Sequence, residues 1–291
     1  MKLSVVIPCC NAADTIGDTL QALAEQCWPG DWEVIVIDNG STDGLEPALA
    51  RYRSLIPALR YIKASVRRSP AYARNVGVKQ AIGEGILFCD ADDIPASGWA
   101  LAMAEGLTIH SFVACRLEFE RLNPPSIRAA RGQTQVNALQ QFSFLPFPHA
   151  GSGTLGIRRY LHNTIGGFDE AMPVCEDIDY CMRAQQTGAR LTLIRSAILH
   201  CRLRTCGAEI FSQASHYAEY EVCLYKKYGP ASFWELWRWR KYVQAWMLLS
   251  SRIPELIRTP EGKTMLAWRF GRQIGLLKGS LRFHSAPVMV E

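Results

Sequence analysis

Gly85-Ile86-Leu87-Phe88-Cys89-Asp90-Ala91-Asp92-Asp93 is a short uncharged run that breaks abruptly into three carboxylates. A brief, continuously apolar stretch of this kind reads as a strand buried on both faces, which belongs in a parallel sheet covered by helices. Working toward the N-terminus, Pro70–Ile82 reads as a helix with proline near its start and Gly83 at its end. Leu59–Lys63 is a short strand, and Leu45–Leu55 a helix. Trp32–Ile37 is a second buried strand, closed by the turn-forming Asp38-Asn39-Gly40-Ser41. Asn11–Cys27 reads as a helix capped by Asp14, with Ile16, Leu20, Leu23 and Cys27 at helical spacing. Leu3-Ser4-Val5-Val6-Ile7-Pro8 is the first buried strand. Strands alternating with helices predict an α/β fold with a mostly parallel, Rossmann-like sheet, and ligands bind at the carboxyl edge of such sheets.

The second half is less regular. Arg116–Phe147 mixes charges, prolines and aromatics and reads as excursion loops over the sheet. Ala150–Ile157 is glycine-rich and then strand-like, Asp177–Gly188 helical, Leu191–Leu199 apolar with one Arg, and Ala208–Tyr228 helical. Beyond Pro230 five of the eight tryptophans lie among arginines. The expected division is a domain over 1–205, made of halves at about 1–93 and 94–205. A C-terminal helical, basic, Trp-rich extension follows over 206–291.

Composition narrows the function. With 48% hydrophobic and 20% charged residues, 291 residues can bury a sizeable core. The net charge of +5 is concentrated from Ala231 onward, where ten Lys/Arg face four Asp/Glu. A nearly neutral body argues against nucleic acid as a partner, and the basic tail suits an anionic surface such as a membrane. Trp234, Trp237, Trp239, Trp246 and Trp268 alternate there with Arg238, Arg240, Lys241, Arg252 and Arg269. They suit either peripheral contact at a membrane interface or the packing of a helical subdomain. No stretch approaches the ~18–20 apolar residues of a membrane span. The ten cysteines lack paired zinc-site spacing and no leader precedes the first strand, which together predict reduced thiols and a cytoplasmic protein, peripheral on the inner face of the membrane if the tail binds there.

Several residues carry candidate chemistry, each with a structural alternative. Asp90 and Asp92 at a strand's end suit Mg²⁺ or Mn²⁺, which would stabilise a diphosphate leaving group; otherwise they form a solvated acidic loop. Asp38 could bond a base or ribose, or cap the following helix. Arg74 could face a base or diphosphate, or lie on a solvated helix face. Glu176 and Asp177 could deprotonate an acceptor hydroxyl, or simply sit where a helix dipole welcomes acids. His200 could be a metal ligand or a structural histidine.

The order of these motifs is more telling than any one of them. Ser4-Val5-Val6-Ile7-Pro8, Val36–Asp43, Ala73-Arg74-Asn75-x-Gly77 and Phe88–Asp93 resemble glycosyltransferase family 2. Arg158-Arg159, Gly166-Gly167-Phe168-Asp169-Glu170 and Glu176-Asp177-Ile178-Asp179 continue the likeness, which covers Leu3 to His200. The resemblance implies a GT-A fold and an inverting, metal-dependent transfer of a sugar from a nucleoside-diphosphate donor, UDP first among the nucleotides, to an acceptor glycan or lipid-linked saccharide in bacterial cell-surface polysaccharide or glycolipid synthesis. It implies a nucleotide-binding half at 1–93 and an acceptor and catalytic half at 94–205, nucleoside contacts from Pro8, Asp38 and Arg74, and ribose and metal binding by Asp90 and Asp92. It also implies a general base at Asp177 with Glu176 beside it, and a metal-associated His200. Asn39 departs from the family's second aspartate, and no Gln-x-x-Arg-Trp motif follows Arg183, so a single-addition enzyme is expected rather than a processive synthase. A nucleotidyltransferase would need a Gly-rich basic loop after the first strand, which Pro8-Cys9-Cys10-Asn11-Ala12-Ala13 is not. The non-enzymatic alternative is a nucleotide-sugar-binding or scaffolding subunit of the same fold.

Overall fold

Continuous apolar runs at the N-terminus form the strands their sequence predicts. The computed structural model describes residues 1–56, 58–131, 133–230 and 235–288. β1 (Leu3–Cys9), β2 (Trp32–Asp38), β3 (Leu59–Lys63) and β4 (Gly85–Phe88) pair in parallel in the order β3-β2-β1-β4. Val5, Val6, Ile7, Val34 to Ile37 and Ile86 to Phe88 are wholly buried, as strands covered on both faces must be. Because β2 and β3 lie on one side of β1 and β4 on the other, strand order reverses at β1/β4, and the carboxyl ends there border a crevice.

The sheet continues beyond β4 through β5 (Ile94–Pro95), β6 (Phe112–Glu118), β7 (Leu155–Arg158) and β8 (Leu191–His200), in the order β7-β6-β8-β5. β6 and β8 are parallel, while β7 runs against both neighbours and β5 against β8. A parallel core therefore grades into a mixed sheet.

Helices α1 (Ile16–Ala24), α2 (Leu45–Ala48), α3 (Pro70–Gln80), α4 (Trp99–Ile109), α5 (Pro125–Arg131), α6 (Arg159–Thr164) and α7 (Glu176–Gln186) follow in chain order. Three expectations are corrected. Asp14 does not cap α1: Thr15 is the N-cap, and the Ala12 carbonyl takes the Thr15 and Ile16 N–H groups. The helix expected over 45–55 stops at Ala48 and tightens into a 3-10 turn at Ala50–Arg53, which keeps Leu49, Tyr52 and Ile56 all buried. Arg116–Phe147 is not all loop, since β6 runs to Glu118 and Pro125–Arg131 is helical. α4, with the fully buried Trp99, was not anticipated by the sequence reading. Gly77 lets α3 sit directly on β1, where an added Cβ would stand 2.3 Å from Val6 Cγ1.

The chain divides into two units: Met1–Glu118, Thr134–Gln140 and His149–Arg202 in one, Phe119–Gln133, Gln141–Pro148 and Leu203–Glu291 in the other. The second is helical, built on α8 (Gly207–Tyr228), α9 (Glu235–Leu256) and α10 (Pro260–Phe283) together with α5. Gly271, Gly275 and Gly279 recur every four residues on α10, and a Cβ on each would meet the Phe211, Ser215 or Glu219 carbonyl of α8 at 2.1–2.5 Å. The two backbones touch without intervening side chains, a small-residue packing that favours close approach. Arg272 grips Glu221 bidentately at 2.7 and 2.8 Å, and Arg282 meets Glu219 at 2.7 Å.

Candidate active site

Arg74 is the centre of the site. It lies on α3, 4% exposed, and its two terminal nitrogens bond Asp90 Oδ1 and Glu176 Oε1, each at 2.8 Å. The loop after β4 and the first turn of α7 are thereby held on one guanidinium. Burial opposes the Arg74 charge, but Asp90 and Glu176 outweigh it and hold the group firmly protonated. The Phe168 ring lies 5.6 Å from its carbon centre, and its Nε has no hydrogen-bond partner among the described residues.

Asn75, the next residue, performs the second clamp. Its Nδ2 donates to Phe168 O and Glu170 Oε1, both at 2.9 Å, and its Oδ1 accepts from Phe168 N at 2.8 Å. Gly167 adopts φ +76°, and a Cβ there would fall 2.6 Å from the Asn75 Oδ1, so this loop position requires glycine twice over. Phe168 then stacks on Tyr180 of α7 at 4.0 Å between centroids.

α7 places Glu176, Asp177 and Asp179 in its first turn, where the helix dipole favours acids. Its N-cap, Cys175, adopts a left-handed φ of +60°, a strained conformation of the kind that recurs at functional sites. Burial, then Asp177 beside it, pushes Glu176 up to about 7 against the opposing pull of Arg74. Burial also raises Asp177, although Ile178 N–H (2.8 Å to Oδ1) and Ser152 N–H (3.2 Å to Oδ2) both favour its ionised form.

The three carboxylates after β4 are not equivalent. Asp93 is 5% exposed and accepts the Arg202 N–H at 2.9 Å; burial, with Asp90 and Asp92 close by, holds it well above the usual carboxylate range. Asp90 is 39% exposed at its side chain, and Asp92 is exposed. Gly153 lies against the Asp90 carboxyl, so closely that a Cβ would be 2.7 Å from its carbon.

Pro8 lies one residue before the end of β1, opposite Ile37 and beyond the last β1–β4 pair at Val6 and Phe88, where its missing N–H costs no β4 pairing. Asp38 ends β2 at the same carboxyl edge. Its Oδ2 accepts from the Tyr61 hydroxyl at 2.6 Å and its Oδ1 from Ser41 N at 2.8 Å; burial raises its pKa, but these bonds prevail and leave it below the ordinary range. Asn39 donates to Ala64 O (2.5 Å) and Arg67 O (2.7 Å) and accepts from Ser69 N (2.7 Å), a set no aspartate could complete for want of donors. His200 ends β8 with its Nδ1 bonded to Glu118 at the facing position of β6. The structure thus joins Arg74, Asp90 and Glu176 directly, with Asp177 adjacent, and sets Pro8 and Asp38 at the same edge. His200 is bonded instead to Glu118. Tyr61, Asn75, Gly153 and Glu118 are not assigned these contacts by the sequence; the glycines at 151 and 153 are the one local signal that could have pointed to a close approach.

A family model for "Glycosyl transferase family 2" matches residues 4–166. Glycosyltransferase AglE of Haloferax volcanii is 26% identical over 200 residues, 67% of this chain but only 65% of AglE. The amylovoran biosynthesis glycosyltransferase AmsB of Erwinia amylovora is 28% identical over 230 residues, 70% of this chain and 71% of AmsB. Among solved structures, the mannosyltransferase PcManGT from Pyrobaculum calidifontis, in complex with GDP-Man and Mn²⁺, superposes with a TM-score of 0.68 at 20% identity, covering 95% of this chain and 86% of that one. That likeness speaks for the GT-A fold; the family match, spanning more than half of the residues, speaks for lineage, and on it the chain belongs to glycosyl transferase family 2.

Proposed function

We propose that the chain is an inverting glycosyltransferase that moves a sugar from a nucleoside-diphosphate donor, UDP first among the nucleotides, to an acceptor hydroxyl in cell-surface polysaccharide or glycolipid synthesis. The observation that carries this reading is the Asp90–Arg74–Glu176 link, which puts carboxylates from two distant segments on one buried cation at the carboxyl edge of the sheet. AmsB, named for the biosynthesis of amylovoran, supports the pathway class.

Asp90 and Asp92 are the residues that would hold a divalent ion, with His200 as a third donor. Among the described residues no three His, Cys, Asp or Glu converge as a cage. Mg²⁺ and Mn²⁺ need only one or two carboxylates together with substrate phosphates and waters, a requirement the Asp90 and Asp92 carboxylates can meet. Glu118 on His200 Nδ1 fixes the ring and leaves Nε2 for ligation, the usual outer-shell support of a metal-bound histidine. When bound, the ion supplies Lewis-acid stabilisation of the departing diphosphate.

Asp177 takes the proton from the acceptor oxygen while that oxygen forms its bond to the anomeric carbon and the diphosphate leaves. One displacement inverts the centre, so no covalent nucleophile is required. Glu176 is held by Arg74 and acts beside the base rather than as the base. Pro8 and Asp38 face the nucleoside, with Arg74 holding Asp90 in place.

Peripheral membrane contact through 231–291 at the cytoplasmic face belongs to the same reading. α9 exposes Leu236 (87%), Trp237 (53%), Met247 and Leu248 beside Arg240 and Lys241, whereas Trp246 packs on Phe270. Trp234 lies outside the described residues. Among those residues no helix is long and apolar enough to cross a membrane.

The test is release of nucleoside diphosphate from UDP-glucose, UDP-N-acetylglucosamine and GDP-mannose with Mn²⁺, for wild type and Asp177→Asn. One donor should turn over, and Asp177→Asn should bind it normally but react ~10²–10⁴-fold more slowly. Binding without turnover in the wild type, or equal rates in the two proteins, would overturn the assignment.

A further inference from the structure

The segment between β6 and β7 contains a residue whose side-chain polar groups are all committed near the site. Gln135 is 3% exposed and adopts φ +56°, a left-handed conformation that glutamine keeps only when its surroundings enforce it. Its carbonyl accepts from Leu117 N at 3.1 Å, and its Nε2 donates to Cys115 O at 2.8 Å. These bonds straddle the register shift of β6 between Cys115 and Arg116. Irregularities of this kind re-aim chains beside active sites.

The same Nε2 donates its second hydrogen to Thr154 Oγ1 at 2.8 Å, and Oε1 accepts from Gly151 N and Gln140 Nε2, each at 3.2 Å. A carboxamide has two donors and two acceptor lone pairs, so none is left over. Thr154 Oγ1 donates in turn to Gly151 O at 2.7 Å. One side chain therefore closes the Gly151–Thr154 turn from both ends. Two residues of that turn reach the site: Ser152 N–H bonds Asp177 Oδ2 at 3.2 Å, and Gly153 packs under the Asp90 carboxyl.

We propose that Gln135 is a positioning residue, which fixes the Gly151–Thr154 turn and thereby the separation of Asp90 and Asp177 across the site. The proposal rests on the transferase reading for its consequence in catalysis, but the local claim stands on hydrogen bonds alone. Neither glutamate nor alanine reproduces this set of bonds. Glutamate matches its size but lacks both donors, and alanine leaves Cys115 O, Thr154 Oγ1 and Gly151 N without their partner.

The experiment compares wild type, Gln135→Ala and Gln135→Glu by amide hydrogen exchange at Gly151 to Thr154, by calorimetry with UDP and GDP plus Mn²⁺, and by release of nucleoside diphosphate from the donor that wild type hydrolyses. Thr154→Val, which is isosteric and severs the two hydroxyl bonds to Gln135 and Gly151 O while leaving the Gln135 bonds to Cys115 O and Gly151 N, covers the case in which Gln135→Ala does not fold. Ser152 exchange should quicken in every variant. In Gln135→Ala, kcat should fall about 10²-fold, as expected for a displacement near 1 Å, with the donor KM within about threefold. Thr154→Val should show the same kcat-only pattern at about tenfold, because it removes one arm of a coupled network. Unchanged Ser152 exchange in Gln135→Ala, or a folded Thr154→Val with wild-type kcat, overturns the proposal. A wild type that hydrolyses no donor sinks the transferase reading instead, and Ser152 exchange then still decides whether Gln135 holds the turn.

Discussion

Two regions of this chain are held together by opposite means. Around Arg74, distant segments meet through charged and amide groups, each bond requiring a specific partner: Asp90 and Glu176 for the guanidinium, Phe168 and Glu170 for Asn75. Between α8 and α10 the contact is steric, with Gly271, Gly275 and Gly279 bringing backbone against backbone. The polar region is damaged by removing atoms, because a lost partner leaves a buried charge exposed to nothing. The glycine region is damaged by adding them. Catalysis needs the first arrangement, since carboxylates must be aimed; a helical pair needs only the second.

The sharpest way to break the comparison is at Arg74. Arg74→Ala leaves the buried Glu176 without its cation and should cost about 3–5 kcal/mol of unfolding free energy, read by urea denaturation. Arg74→Lys should not restore it, because an ammonium lacks the fork that reaches two carboxylates at once. A wild-type midpoint in either variant would show that the link is incidental. In the helical unit, Gly275→Val should cost about 1–3 kcal/mol by overpacking, while the polar site keeps its nucleotide affinity. Loss of nucleotide binding in that variant would contradict the separation drawn here.

A finer test uses pH. Glu176 lies near 7 in the fold against an ordinary 4.5, so the folded protein holds that proton more tightly than the unfolded chain. Its stabilising contribution is complete below about pH 4.5 and is lost as pH rises through about 7. Glu176→Gln cannot ionise and escapes the loss, so its Tm relative to wild type should climb across that interval; a constant difference would contradict the assignment. The smallest effect is expected at the exposed face of α9. Met247→Ser should change stability by no more than about 0.5 kcal/mol, yet weaken sedimentation with phosphatidylglycerol vesicles if that face docks on a membrane. Equal sedimentation of the two proteins would remove α9 from the membrane reading.

The parts of the fold legible in sequence are those whose signal is local. β1, β2 and β4 are largely apolar runs, and the acids after β2 and β4 fall at strand ends, so both the parallel core and its carboxyl edge could be read directly. β7 could not be placed, because its antiparallel seat between β4 and β6 depends on pairing partners remote in sequence. The same limit applies to side chains. Asp90, Arg74 and Glu176 were each readable as candidates, but their meeting on one guanidinium is a tertiary fact. Asn39 shows the reverse case: in sequence it is a departure from the family's second aspartate, yet its amide donors tie Ala64 and Arg67 in front of α3. The glycine stripe of α10 was present in sequence at four-residue spacing, but its meaning depends on which helix lies opposite.

The central claim, that the carboxyl edge of β1 and β4 binds a nucleoside diphosphate with a divalent ion, is tested most directly by calorimetry. UDP, GDP and dTDP would each be titrated with and without Mn²⁺ into wild type and Asp92→Ala, a variant chosen because Asp92 is exposed, whereas Asp90 and Glu176 are the carboxylates bonded to the buried Arg74. The account predicts Mn²⁺-dependent binding of one nucleotide by the wild type and its loss in Asp92→Ala. Failure of all three nucleotides to bind, or binding indifferent to both Mn²⁺ and Asp92, would contradict it.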